Sequence, residues 1–258
     1  MYSVLVSFRV RFFGIAAACL LFDVFAPGAA AAADWYTGGA PPKPTNDWIV
    51  AVDASATGTS SGSQFAALAA TIAPIGSLNT SGPRLRLEGL AGTYKFDSGT
   101  PNAPITGEQY GGAFLAGYQW KAPSATLSVF GGLDIRDSRF SGVSVGLPAS
   151  GLREGFKGVV EYYANPSDRS MFFAYGAYST IYNAYQARAK WGFETFGRVY
   201  VGPEVAILGD DYYRQWRLGA HMTGFQLGAF QYGVSAGYLN DKDGKGGAYG
   251  SLDIRAVY

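Results

Sequence analysis

Residues 249–258, Tyr-Gly-Ser-Leu-Asp-Ile-Arg-Ala-Val-Tyr, are the stretch that decides the fold. Its apolar residues recur at every second position: Leu252, Ile254, Ala256 and Tyr258. The positions between them carry Ser251, Asp253 and Arg255. Successive side chains of a β-strand point to opposite faces, so this segment predicts one apolar and one charged face. A strand that separates lipid from a polar lumen requires that division.

The ending on an aromatic residue is typical of the terminal strand of bacterial outer-membrane barrels. We therefore expect Leu252, Ile254, Ala256 and Tyr258 to guide barrel assembly. The expected partners are outer-membrane lipid and the barrel-assembly machinery.

The N-terminal segment has the pattern of a cleavable export signal. Arg9 and Arg11 precede an apolar run over residues 12–22, and small residues follow over 29–33. That run is too short for a membrane-spanning helix, which needs about 18 apolar residues. The pattern predicts a signal peptide over residues 1–33, a Pro/Gly-rich periplasmic lead-in over 34–46, and a barrel over 47–258. The predicted location is the bacterial outer membrane.

The composition indicates an all-β domain. Aromatic residues make up 16% of the chain and charged residues only 15%, with 36 glycines. Glycine destabilises helices, whereas aromatic side chains suit pleated surfaces. The chain has 20 Lys+Arg and 19 Asp+Glu; removing Arg9, Arg11 and Asp23 with the signal leaves 18 of each. A neutral mature chain gives no indication of a nucleic-acid partner.

Beyond residue 47, segments of about ten residues alternate in polarity and are separated by turn residues. Counting them predicts an antiparallel up-and-down transmembrane barrel of about 12 strands, with 10–14 possible. Short connections are expected near 120–124, 194–196 and 223–225, and longer ones near 97–107, 137–154, 209–212 and 239–246. Aromatic residues near predicted strand ends are expected to form interface girdles: Trp48, Trp120, Tyr162, Trp191, Trp216, Tyr238 and Tyr258.

The charged face of these strands predicts a polar network in the lumen. Its candidates are Arg84, Arg86, Glu88, Asp134, Arg136, Lys157, Glu161, Arg188, Lys190, Arg198, Glu204, Arg217, Asp253 and Arg255. The favoured interpretation is a salt-bridged plug that stabilises a narrow barrel. The alternative is a polar conduit or a saccharide-binding wall, because a barrel of about twelve strands can be filled or open. A loop group of Asp210, Asp211, Tyr212 and Tyr213 has side chains suited to sugar or calcium.

Catalytic chemistry has one candidate pair. His221 and Thr223 are two residues apart, so on a strand they share a face. A hydroxyl beside an imidazole is the arrangement of a nucleophile and its base, and Glu204 is a conceivable acidic partner. Outer-membrane lipid A deacylases have a similar His-x-Ser pair. The alternative is a lumen histidine in a polar network. With a single histidine and a single cysteine, Cys19 in the signal, we expect no metal site and no cofactor.

Three stretches carry a family resemblance. Residues 198–206 and 209–221, together with 250–258, resemble the BcsS family of bacterial cellulose biosynthesis proteins. The resemblance extends from about Trp48 to the end of the chain. It implies an outer-membrane barrel associated with cellulose synthesis and secretion, and it brings no catalytic residues. The expected function is a non-enzymatic barrel that assists cellulose biosynthesis, export or surface anchoring, with cellulose or other secretion components as further partners. The alternatives are a lipid A-modifying hydrolase using His221 and Thr223, and a small general porin.

Overall fold

The computed structural model describes residues 49–97, 104–141, 150–241 and 246–258. The predicted signal peptide and lead-in lie outside these residues. The strands are β1 (Val50–Thr59), β2 (Gln64–Ile72), β3 (Gly82–Asp97), β4 (Pro104–Ala122), β5 (Ala125–Ser141), β6 (Gly151–Ser167), β7 (Ser170–Ser179), β8 (Ala184–Phe196), β9 (Val199–Gly209), β10 (Arg214–Leu227), β11 (Phe230–Asp241) and β12 (Gly246–Val257). A 3₁₀ turn, Ile181–Asn183, precedes β8. Within the described residues no helix is long and apolar enough to cross a membrane.

The strands form a closed antiparallel barrel in chain order, and β12 pairs with β1 to close it. In that closing pair Asp53 lies opposite Arg255, and Ala54 lies opposite Ile254. Full closure leaves no unpaired strand edge, since every strand has two neighbours. The prediction of a twelve-stranded antiparallel barrel is confirmed.

Two predicted turns lie further along the chain than expected. A β-bulge sits between Thr223 and Phe225, and β10 continues to Leu227. Gly224 adopts a φ of 95° there, which an extra bulge residue favours and which glycine adopts without steric cost. Similarly, β8 runs to Phe196, and the turn that follows it contains Arg198. Gly224 therefore resembles a turn signal in the sequence but forms a kink within a strand.

The two ends of the barrel differ. Residue 50 and residue 257 lie at one end, here called the termini end, with short turns at 123–124, 168–169, 197–198 and 228–229. Its longer connection, 73–81, folds inward: Ser77 and Leu78 are buried, and Leu78 packs with Ala51, Ala73 and Val257. The opposite end, here called the loop end, carries the connections 60–63, 180–183 and 210–213, and the strand ends Asp97, Ser141 and Asp241 lie there as well.

The outer surface is apolar and carries aromatic clusters. Outward side chains such as Phe114, Leu133 and Leu218 are more than half exposed to solvent in the isolated chain. Ring contacts follow the termini end around the barrel: Tyr118–Trp120, Tyr162–Phe172, Phe172–Trp191, Phe196–Phe225 and Phe230–Tyr232. An exposed apolar band of this extent is stable in lipid but not in water.

Apolar side chains also fill part of the interior. Ala113, Leu115, Phe130 and Val159 form one buried cluster. Tyr163, Met171, Phe173 and Tyr200 form a second. Both clusters point into the barrel from β4 to β9, so the lumen there has a packed hydrophobic core rather than a wholly polar wall.

Candidate functional site

Four of the predicted lumen charges form a network between β3 and β6. This β3–β6 network consists of Arg86, Glu88, Lys157 and Glu161. Arg86 Nη1 donates to Glu161 Oε1 at 2.7 Å, and Arg86 Nε lies 2.7 Å from Glu88 Oε1. Lys157 Nζ pairs with Glu88 Oε2. Arg86 and Glu88 are both on β3, whereas the Arg86–Glu161 and Lys157–Glu88 pairs join β3 to β6. Since β3 and β6 are not sheet neighbours, these two pairs reach across the lumen.

A second network joins β8 and β9 to β12. This β8–β12 network consists of Arg188, Lys190, Glu204 and Asp253. Arg188 Nη1 and Lys190 Nζ donate to the two oxygens of Asp253 at 3.1 and 2.9 Å. Arg188 Nη2 donates to Glu204 Oε2 at 2.8 Å. Asp253 and Lys190 have fully buried side chains, so each needs the opposite charge of the other.

Neutral hydroxyl groups complete the second network. Ser235 Oγ donates to Glu204 Oε2 at 2.7 Å, and Tyr249 Oη donates to Glu204 Oε1 at 3.2 Å. Arg188 Nη2 also donates to Ser251 Oγ at 3.2 Å. These contacts satisfy lone pairs and protons that the ion pairs alone leave open, which is the condition for a favourable buried charge cluster.

The remaining predicted lumen charges have separate positions. Arg136 Nε donates to Asp134 Oδ2 at 3.1 Å, and Arg255 pairs with Asp53 at 3.3 Å. Arg217 lies over the Tyr249 ring at 5.4 Å. Arg198 is exposed in the turn after β8, so its placement in the lumen was wrong. The reason is that β8 continues past the predicted turn.

Arg84 closes the termini end instead of joining a carboxylate. Its guanidinium donates to the carbonyl oxygens of Ser77 and Thr80, and its Nε donates to Gln119 Oε1 at 2.8 Å. Gln119 Nε2 in turn donates to the Leu78 carbonyl at 3.1 Å. Arg84 and Gln119 thereby hold the inward connection 73–81 over the barrel opening. Sequence reasoning missed Gln119 because an isolated amide gives no sign of a partner on another element.

His221 and Thr223 do come together, but inside the barrel. Thr223 Oγ1 lies 3.4 Å from His221 Nδ1, and His221 Nε2 lies 3.2 Å from the Trp191 carbonyl oxygen. If Nε2 carries the proton and donates to that carbonyl, Nδ1 accepts from the threonine hydroxyl. His221 is 2% exposed and Thr223 is 0% exposed. The pair therefore has no contact with the outer, lipid-facing surface. Glu204, the candidate acidic partner of the pair, is hydrogen-bonded within the β8–β12 network.

A cavity of about 260 Å³ occupies the loop-end half of the lumen. Members of both networks line it, including Arg86, Glu88, Arg188 and Glu204, whereas Glu161, Lys190, Asp253 and His221 lie outside its lining. The networks therefore form its floor. Nearer the mouth, Phe65 stacks on Tyr94 with ring centroids 6.1 Å apart, and Tyr94 meets Tyr213 at 6.4 Å. Tyr94 lies on β3 and Tyr213 directly precedes β10, and these strands are not neighbours in the barrel, so the contact between the two rings crosses the mouth.

The turn that carries Tyr213 is fixed by polar contacts. Asp210 Oδ1 accepts from the backbone N–H groups of Tyr212 and Tyr213, each at 2.8 Å. Burial raises the pKa of the Asp210 carboxyl above its ordinary value, against the lowering effect of those two hydrogen bonds. Asn183 Nδ2 donates to Asp211 Oδ1 at 2.9 Å, which ties this turn to the 3₁₀ turn.

The 3₁₀ turn itself is strained. Tyr182 and Asn183 have φ values of 56° and 48°, in the left-handed region that bulky residues avoid. Tyr182 is nevertheless buried, and the Arg153 guanidinium lies 4.7 Å from its ring. Strain that persists because surrounding contacts fix it is frequent at ligand-binding sites. The sequence indicated Tyr212 and Tyr213 as a loop group but missed Phe65, Tyr94 and Tyr182. For Tyr94 the available signal was an aromatic residue on the strand face that also carries Arg84, Arg86 and Glu88.

Metal ligation has no support in the described part of the chain. No three histidine, cysteine, aspartate or glutamate side chains come close enough there to hold a metal ion.

Comparison with known proteins gives one family match. The family described as "Cellulose biosynthesis protein BcsS" matches residues 55–258. This confirms the resemblance drawn from residues 198–221 and 250–258. No curated protein matches the chain.

Solved structures with a similar outline are barrels of low sequence identity. A KdgM porin covers 81% of this chain and 99% of its own, at 10% identity and a TM-score of 0.47. The Acinetobacter baumannii outer-membrane protein Omp33 covers 82% of this chain and 98% of its own, at 13% identity and a TM-score of 0.38.

Proposed function

The chain belongs to the BcsS family of cellulose biosynthesis proteins, and from that membership we propose that it is a non-enzymatic outer-membrane barrel that retains cellulose at the cell surface. The observation that carries the proposal is the asymmetry of the lumen. The termini-end half is filled by buried side chains, whereas the loop-end half holds an aromatic-lined cavity. A barrel of this form offers a surface site rather than a passage.

The orientation follows from the usual topology of such barrels. Both chain ends of an even-stranded bacterial barrel lie in the periplasm, with short turns there and longer loops outside. Applied to this chain, the capped termini end faces the periplasm, and the loop end with its cavity faces the exterior. The cavity then opens on the side where exported polysaccharide accumulates.

Three layers of contacts argue against conduction. Arg84 and Gln119 hold the 73–81 connection over the periplasmic opening. The two ion networks then cross the lumen above it, and apolar clusters fill the side between β4 and β9. Passage of a glucan chain would require breaking ion pairs between fully buried groups, which is costly in a low-dielectric interior.

Cell-surface cellulose provides the direct test. A deletion strain should make a normal amount of cellulose but release more of it into the medium, and the wild-type gene should restore retention. Cell-bound and released cellulose are measured separately by acid hydrolysis and glucose assay. Unchanged total output together with unchanged retention would overturn the proposal.

Conductance separates this role from a small general porin. The purified protein, inserted in planar bilayers, should give no stable channels. Folding and insertion are checked by the heat-dependent shift in gel mobility that intact barrels show. Stable channels blocked by cello-oligosaccharides would instead support a saccharide conduit, and unblocked channels would support a porin.

Lipid A analysis tests the hydrolase alternative. Because His221 and Thr223 are buried inside the barrel, a His221→Ala strain should have the same lipid A as the wild type by mass spectrometry. A shift in acyl-chain number in that strain would revive the enzymatic interpretation.

A further inference from the structure

The aromatic row at the cavity mouth is held flat by glycines. Phe65 on β2 lies directly opposite Gly92 on β3, and Tyr94 lies opposite Gly107 on β4. A Cβ atom at Gly92 would collide with the Phe65 ring, and one at Gly107 would lie 2.6 Å from Tyr94 Cζ. Each ring therefore rests on the bare backbone of the next strand, with one face turned toward the cavity.

The third ring is fixed by a chain of hydrogen bonds. Gln215 Nε2 donates to Tyr213 Oη at 2.6 Å, and Arg217 Nε donates to Gln215 Oε1 at 2.6 Å. Arg217 lies over the Tyr249 ring in turn. The side chains of Gln215 and Arg217 on β10 thus position the Tyr213 hydroxyl group, and Asp210 positions its backbone. Three pre-positioned rings reduce the entropy that a ligand must offset on binding.

The charge of the cavity lining selects a neutral ligand. Its described residues include five acidic and five basic side chains, most of them already paired with each other. Gln109, Gln186 and Gln215 add amide donors and acceptors near the mouth. An anionic ligand would find no net positive field, whereas hydroxyl groups can bond to the amides. The volume, about 260 Å³, lies just below the usual range for small-ligand pockets, about 300–1,000 Å³.

We propose that this cavity binds the end segment of a neutral β-linked glucan, with sugar rings stacked on Phe65, Tyr94 and Tyr213. Sugar rings with equatorial hydroxyl groups present flat C–H faces to aromatic rings and direct their hydroxyl groups sideways, toward the amides. The filled floor admits only the end of a chain. This inference rests on the proposed function for the choice of glucan, and it assigns the ligand-binding residues that family membership does not supply.

Calorimetric titration of the full chain in detergent with cellohexaose tests the site. The variants are Tyr94→Ala and Tyr213→Ala. The matched control is Tyr110→Ala on the outward face of β4, where the ring is 48% exposed.

Loss of one stacking ring should raise the cellohexaose Kd about tenfold, as expected for a residue at the centre of a binding site, and the control variant should leave the Kd unchanged. Maltohexaose and oligogalacturonate should bind more weakly than cellohexaose. The gel-mobility shift confirms that each variant is folded.

Absence of cellohexaose binding to the folded wild-type protein would overturn the inference, and so would equal affinities of all three variants. Retention in cells distinguishes this failure from failure of the proposed function. If deletion releases cellulose but the Tyr94→Ala and Tyr213→Ala strains retain it, the surface role stands and the cavity site is wrong. If deletion has no effect while calorimetry shows ring-dependent binding, the site stands and the surface role is wrong.

Discussion

The β3–β6 and β8–β12 networks contain the same charges, two basic and two acidic groups each, but they are built differently. In the β8–β12 network the carboxylate of Glu204 also accepts hydrogen bonds from Ser235 and Tyr249, and Arg188 also donates to Ser251. In the β3–β6 network Arg86 is shared by Glu88 and Glu161, and its guanidinium also lies 5.4 Å from the centre of the Phe130 ring. In the β8–β12 network the hydroxyl groups bond to the charged groups, so the stability of the network depends on every member. In the β3–β6 network Arg86 keeps one carboxylate partner when the other is lost.

Removing the most enclosed acid should have the largest effect. Asp253→Ala leaves Arg188 and Lys190 with Glu204 as their carboxylate partner, and the Lys190 distance to it is 3.8 Å. Breaking a buried pair from one side typically costs about 3–5 kcal/mol, because the remaining charge stays desolvated. Urea unfolding in lipid vesicles, followed by fluorescence of the tryptophans, measures the change. If Asp253→Ala lowered the free energy of unfolding by less than Glu161→Ala does, the proposed difference between the two networks would be wrong.

Glu161→Ala should cost less, about 1–3 kcal/mol, because Arg86 keeps Glu88 at 2.7 Å. The same unfolding measurement applies. Its control is Glu88→Ala, which removes the carboxylate that pairs with Lys157 and one of the two that pair with Arg86, and which should therefore be the more destabilising of the two. The reverse order would show that Glu161, rather than Glu88, is the main partner of Arg86.

Replacing both members of one pair should cost less than replacing either alone. Arg86→Met combined with Glu161→Leu removes opposite charges together and leaves Lys157 paired with Glu88. Apolar replacement of a buried ion pair is often neutral or stabilising, so we expect stability within about 1 kcal/mol of the wild type. A double variant as unstable as the sum of its singles would mean that the charges do not interact. The cycle of the two single variants and the double variant supplies that comparison.

The smallest change in the free energy of unfolding is expected from a solvent-exposed ion pair. Arg139 lies 2.8 Å from Asp137, and its side chain is 68% exposed. Solvent screens such pairs, so Asp137→Ala should change stability by about 0–1 kcal/mol. Measuring it at low and high salt adds a check, since only an exposed pair should be salt-sensitive. A loss comparable to that of Glu161→Ala would mean that burial does not separate these interactions.

The sequence predicted which charged residues face the lumen but not which of them pair with each other. Alternation placed Arg86, Glu88, Glu161, Arg188 and Asp253 on the inward face, as the structure has them. It gave no means of joining β3 to β6 or β8 to β12, because those pairs depend on barrel curvature and on strand stagger. It also placed Arg84 among the lumen pairs, whereas Arg84 binds backbone carbonyls of a connection that folds into the barrel.

The sequence by itself indicated a barrel of about twelve strands, their antiparallel order and the two-faced character of each strand, because these follow from a period of two residues and from turn residues. It also determined the family, through residues 55–258. Only the tertiary structure decided which charges meet, that Gly224 bends a strand instead of ending it, and that Phe65, Tyr94 and Tyr213 converge on one mouth. The physical reason is closure: bending a sheet into a barrel brings together side chains far apart in sequence, and no local pattern encodes those distances.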